Sequence, residues 1–113
     1  MINIVIRETT SYKTVDEFKK VLANIVPAEN ITLARIEYDK TKGLPDYTCS
    51  IDDYPVILFT NIDVTIYLYA LTAGYNGTGP NDLYEVLKLA GFTYVQRESI
   101  TQDRNLVQLM YGK

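Results

Sequence analysis

The chain has 113 residues, 47% hydrophobic and 22% charged, with a formal net charge of −3, which is one domain's worth of sequence and enough to bury a core without cross-links. One cysteine and no histidine exclude an internal disulfide, Ser-His-Asp and Cys-His nucleophiles, and zinc sites built from His and Cys within one chain. Eleven lysines and arginines against 14 acidic residues, scattered along the sequence, exclude the dense cationic surface that long nucleic acid requires, and no run approaches the roughly 18 to 20 apolar residues of a membrane span.

The first run, Ile2-Asn3-Ile4-Val5-Ile6-Arg7-Glu8, is β-branched and partly alternating, which predicts a strand with Ile2, Ile4 and Ile6 on one face. This start lacks the basic and apolar segments and the small-residue cleavage site of a secretory signal, so the expected setting is cytoplasmic. Thr14-Val15-Asp16-Glu17 has the form of a capping box and predicts a helix with Thr14 as N-cap. Val15, Phe18, Val21, Leu22 and Ile25 follow at helical spacing, and Pro27 ends the pattern.

Residues 31–38 read as a half-buried strand, with Ile31, Leu33, Arg35 and Glu37 on one parity and Thr32, Ala34, Ile36 and Tyr38 on the other. Residues 39–46 read as an exposed loop, Tyr47–Ile51 as a short strand and Asp52-Asp53 as a turn. Tyr54–Phe59 is a continuous apolar run of strand length, with Pro55 confined to its beginning or to an edge.

Residues 61–73 fit two templates. Period two places Ile62, Val64, Ile66, Leu68 and Ala70 on one strand face. The helical reading, with Thr60 or Asn61 as N-cap, Asp63 in the first turn and Gly74 as the stop, is preferred. A further helix starts at Pro80, carries Leu83, Val86, Leu87 and Ala90, and ends at Gly91, after which Phe92 docks. Residues 93–98 and 106–111 read as an antiparallel hairpin. The order predicts a single α+β domain over residues 1–113, with a mainly antiparallel sheet of about five to six strands and about three helices packed on one face.

The segment Gly74–Pro80 is the one stretch whose glycines suggest chemistry. It lacks both the Gly-Lys-Ser/Thr ending of a P-loop and the dinucleotide spacing Gly-x-Gly-x-x-Gly. What remains is the start of a helix, where the N–H groups of Asn81 and Asp82, the Thr78 hydroxyl and the Asn76 amide face an anion. Asp82 can satisfy the same dipole without a ligand, and the plainer reading is a tight turn with Gly77 and Gly79 at positive φ. Tyr75, flanked by glycine, stacks on a base or inserts into a partner if it stands at the loop tip. Arg97 and Arg104, on or beside one hairpin, form a pair suited to a phosphate, with surface ion pairing as the ordinary alternative. The candidate ligand-binding set is therefore Tyr75, Asn76, Gly77, Thr78, Gly79, Asn81, Arg97 and Arg104.

No residues are assigned to catalysis, a metal or a cofactor. Asp52-Asp53 reads as a turn before it reads as a dyad, and neither it nor Asp39 has calcium-loop spacing. Cys49 has no basic sequence neighbour to activate it. Ten tyrosines and no tryptophan supply rigid faces with polar tips, suited to core edges, interfaces or base stacking.

Small size, acidity, tyrosine richness and the lack of catalytic residues resemble, over the whole chain, small accessory proteins encoded by phages and other mobile elements. Several such families inhibit host defence by binding a nuclease or by sequestering a nucleotide messenger, and the resemblance implies the host cytosol. The expectation is a non-enzymatic, homo-oligomeric binding protein that holds a small anionic ligand such as a nucleotide. The alternative is an interaction inhibitor or adaptor that presents a tyrosine-rich acidic surface to a basic protein partner.

Overall fold

The computed structural model describes residues 1–37, 55–71, 78–102 and 108–112. In chain order these form β1 (Ile2–Ile6), α1 (Ser11–Asn24), a 3₁₀ turn (Ala28–Asn30), β2 (Ile31–Glu37), β3 (Val56–Thr60), β4 (Val64–Leu68), α2 (Thr78–Leu89), α3 (Tyr94–Gln102) and β5 (Gln108–Gly112). The strands make one sheet in the order β1-β4-β3-β2-β5. The class is α+β, and the sheet is mixed: β1 runs parallel to β4, while β4, β3, β2 and β5 pair antiparallel. The expectation of a mainly antiparallel sheet missed the β1–β4 pair, because the neighbour of β1 in the sheet is not its neighbour in sequence.

Residues 62–73 were expected to be helical, and the structure corrects this: Val64–Leu68 is a central strand. Val64, Thr65 and Ile66 are all buried, as befits a strand held between two others, and their β-branched side chains suit that setting. Thr60 closes a hairpin and does not cap a helix. Its hydroxyl donates to the Val64 carbonyl at 2.7 Å and accepts from the N–H groups of Ile62 and Val64 at 3.3 and 3.2 Å. Asp63 completes the three-residue loop at φ 61°, a left-handed conformation that Asp tolerates better than most residues.

One face of the sheet carries the core. Ile6 on β1, Val64, Ile66 and Leu68 on β4, Val56 and Leu58 on β3, and Ile31 and Ala34 on β2 join Val15, Phe18 and Val21 of α1 and Leu83, Val86, Leu87 and Ala90 of α2 in one buried cluster. Ile31 and Ala34 differ in parity, yet both reach it because the β2–β3 register slips between Ile31 and Leu33. A bulge of this kind turns both side chains inward.

α1 begins earlier than its apparent capping box. Its N-cap is Thr10, and Thr14, fully buried, directs its hydroxyl to the Tyr69 carbonyl at 2.8 Å. Glu17 pairs with Lys20 at 2.8 Å and, through that hydrogen bond first and its charge second, raises the Lys20 pKa. α2 also begins earlier, so that Pro80 is its third residue, still within the first turn, where N–H groups lack intrahelical partners. Residues 93–98 were expected to be a strand, whereas Thr93 precedes a helix and 94–98 lie in it. Thr93 and Gln96 form a capping box, the Thr93 N–H donating to Gln96 Oε1 at 3.0 Å and the Gln96 N–H to Thr93 Oγ1 at 3.2 Å. In place of the expected hairpin with 93–98, β5 pairs with β2. The expected loop at 39–46, strand at 47–51 and turn at Asp52-Asp53 lie outside the described residues.

The end of α2 sets the direction of α3. The Phe92 N–H donates to the Leu87 carbonyl at 3.0 Å and the Gly91 N–H to the Lys88 carbonyl at 3.1 Å, with Gly91 at φ 93°, which is a Schellman closure. Phe92 then enters the core. Gly91→Ala is expected to destabilise the fold by about 1 to 2 kcal/mol, because a Cβ is disfavoured at that φ, and thermal unfolding followed by circular dichroism measures it as a lowered midpoint with an unchanged native spectrum.

Candidate functional site

Two polar constellations stand out among the described residues. The first lies where the parallel strands β1 and β4 end. The Tyr69 N–H donates to the Ile6 carbonyl at 3.0 Å, which carries the β1–β4 pairing one step past the strand and sets Arg7 beside Tyr69. The Arg7 guanidinium lies 4.1 Å from the centre of the Tyr69 ring, within cation–π range. Ala70 follows at φ 66° and is buried.

The start of α1 completes this corner. Thr10 is extended at φ −135° and ψ 151°, makes no side-chain capping bond, and no acidic residue lies in the first turn of the helix. The charge comes from elsewhere: the Ser11 hydroxyl donates to Asp82 Oδ2 on α2. Asp82 thus brings a half-buried carboxylate to the positive end of α1, the role a capping residue of its own would play. The Thr10 hydroxyl oxygen is buried and has no hydrogen-bond partner. Chemically the corner is a helix start already neutralised from within.

The second constellation lies on α2 and α3. Tyr84 of α2 and Tyr94 of α3 flank Arg97, whose guanidinium lies 4.8 Å from the first ring centre and 6.0 Å from the second. Arg97 Nε also donates to the Thr93 carbonyl at 3.3 Å, so the fork is held from its own helix start. The α3 residues around it are open: Tyr94 is 62% exposed and Val95 72% exposed. Two large apolar side chains on the first turn of a helix, beside an ordered guanidinium, have the composition of an interaction hot spot.

The candidate residues expected from sequence are only partly brought together. Tyr75, Asn76, Gly77 and Arg104 lie outside the described residues. Thr78 and Gly79 are the first two residues of α2, and Asn81, one turn before Tyr84 on the same helix, is exposed. Arg97 sits on a helix against aromatic rings and not on a hairpin, which corrects its expected place in a two-arginine strand pair. Asp82, expected at the N-terminal end of its own helix, serves the start of α1. Sequence reasoning missed Tyr84, Tyr94 and Val95 as a group. The available signal was the Thr93-x-x-Gln96 box, which turns 94–98 from strand to helix and puts Tyr94 and Arg97 three residues apart on one face.

Among the described residues no group of three or more His, Cys, Asp or Glu side chains is placed to hold a metal ion, and no helix is long and apolar enough to cross a membrane.

Ser11→Ala and Asp82→Ala are each expected to cost about 1 to 2 kcal/mol, the range for a helix cap. The double variant should cost clearly less than their sum, and denaturant unfolding of all four proteins in a double-mutant cycle measures the coupling. Comparison of the chain with family models, with curated proteins and with solved structures gives no match.

Proposed function

We propose that this chain is a non-enzymatic interaction protein that docks on a protein partner through the α2–α3 surface formed by Tyr84, Tyr94, Val95 and Arg97. The observation that carries the reading is the exposure of Tyr94 and Val95, 62% and 72%, next to a guanidinium already ordered between two rings. Tyrosine and arginine supply most binding energy where they are pre-ordered, since little side-chain freedom is then lost on docking. A helix face this open also suits a protein better than a small ligand, which is normally buried over about 70 to 90% of its surface in a concave site. The net charge of −3 favours encounter with a basic partner.

A second reading is kept alive by Arg97 and Asn81, both from the expected set. A small anionic ligand with a planar ring, such as a nucleotide, would stack on the open Tyr94 face and set its charge against Arg97. The start of α1 supports it less, because Asp82 already holds the place of an anion there.

Immobilised protein exposed to host lysate is expected to retain a component that Tyr94→Ala and Val95→Asp lose by about tenfold or more, while Lys19→Asp, on the exposed side of α1, retains it. Equal retention by all four proteins would sink the docking surface. Calorimetric titration with mono-, di- and cyclic nucleotides separates the readings: heat that disappears in Arg97→Ala favours the small ligand, and no heat from any nucleotide removes it.

A further inference from the structure

The outer edge of β1 carries a separate inference. Ile2 donates its N–H to the Asp63 carbonyl at 3.0 Å, and the Ile6 carbonyl accepts from the Tyr69 N–H at 3.0 Å. In a parallel pair the bonding residues of one strand alternate, so Ile2, Ile4 and Ile6 face β4, and the backbone N–H and C=O groups of Asn3 and Val5 turn outward. Among the described residues β1 is the last strand on its side of the sheet. Protected edges carry lysine, proline, a bulge or a covering element. Ile2-Asn3-Ile4-Val5-Ile6 has no charge and no proline, and its register with β4 runs unbroken over all five residues. The surface around it is apolar as well: Met1 is 84% exposed, Ile2 62%, Val5 56% and Ile62 42%.

We propose that this edge pairs with β1 of a second copy of the chain, antiparallel about a two-fold axis at Ile4, to make one continuous sheet across two protomers. The strand is self-complementary in that register. Asn3 stands opposite Val5 of the second copy in two hydrogen-bonded pairs, Ile4 opposite Ile4, and Ile2 opposite Ile6, so the half-open isoleucine face of one strand is completed by the other. The helix layers then lie on the same side of the joined sheet. A foreign strand would have to supply a matching isoleucine face, whereas a second copy has one.

Sedimentation equilibrium on the whole chain tests this. The wild-type protein is expected to be a dimer, with the amides of Asn3 and Val5 protected from hydrogen exchange at concentrations where it is dimeric and unprotected on dilution. Val5→Pro removes an outward N–H that has no partner among the described residues of the protomer and should weaken dimerisation about 10- to 100-fold, with an unchanged far-ultraviolet circular dichroism spectrum. Ile2→Lys, at a position the protomer leaves open, should do the same by placing a charge opposite Ile6, and it decides the matter if Val5→Pro fails to fold. A wild-type protein that stays monomeric at its solubility limit overturns the proposal, and so does a dimer that survives the substitutions or leaves the Asn3 and Val5 amides unprotected.

Discussion

Tyr69 fixes the relation between the sheet and the first helix. Its N–H closes the last step of the β1–β4 pairing on the Ile6 carbonyl, its own carbonyl receives the buried Thr14 hydroxyl of α1 at 2.8 Å, and its ring lies under Arg7. One residue therefore ties two strands and a helix through three different groups. The Thr14 bond matters most, because it joins the helix to the sheet: the buried hydroxyl lies 2.8 Å from the Tyr69 carbonyl and 3.3 Å from the Thr10 carbonyl of its own helix, and the nearer acceptor ties α1 to the end of β4. With α1 placed, Ser11 meets Asp82, and α2 is located in turn.

The legible parts of the fold are those with one local template. β1, β2 and β3 carry strand patterns and lie where expected, and the closing Gly91 with the docking Phe92 was readable from the end of a periodic apolar run. β4 was legible only as one of two readings: Ile62, Val64, Ile66 and Leu68 fit the strand template, but the same run also offered a helix cap and a glycine stop, and the helix was preferred. Thr60 compounded this, since a hydroxyl before an apolar run caps helices and closes hairpins alike. α3 misled in the opposite direction. Tyr94 and Val95 favour a strand by propensity, and only the reciprocal Thr93–Gln96 bonds reveal the helix. The aromatic neighbours of Arg97 were illegible for a related reason. Arg97 was named, but its partners Tyr84 and Tyr94 come from two elements whose meeting depends on the turn at Gly91, and no spacing within either element announces it.

The molecule divides its polar groups by purpose. Those around the start of α1 are spent on architecture: the Ser11 hydroxyl, the Asp82 carboxylate and the Thr14 hydroxyl each have a partner inside the fold. Among the described residues, most of the large apolar side chains left in solvent lie on the β1 edge with the neighbouring Ile62 or on the first turn of α3, while Tyr12 and Ile25 stand at the two ends of α1. These two exposed apolar groups belong to different elements, β1 and α3.

The parallel pairing of β1 also has a kinetic side. β1 is made first, yet its partner β4 is separated from it by α1, β2 and β3, so this contact closes the longest loop in the sheet apart from that which brings β5 to β2. Such non-local pairings come late in folding, because the entropy of closing the loop is lost before the contacts reward it. The β3–β4 hairpin, with its three-residue turn, is the local unit and forms without waiting. An uncharged, isoleucine-rich strand thus spends the synthesis of β2 and β3 without its neighbour, which makes chain-to-chain pairing a hazard of folding.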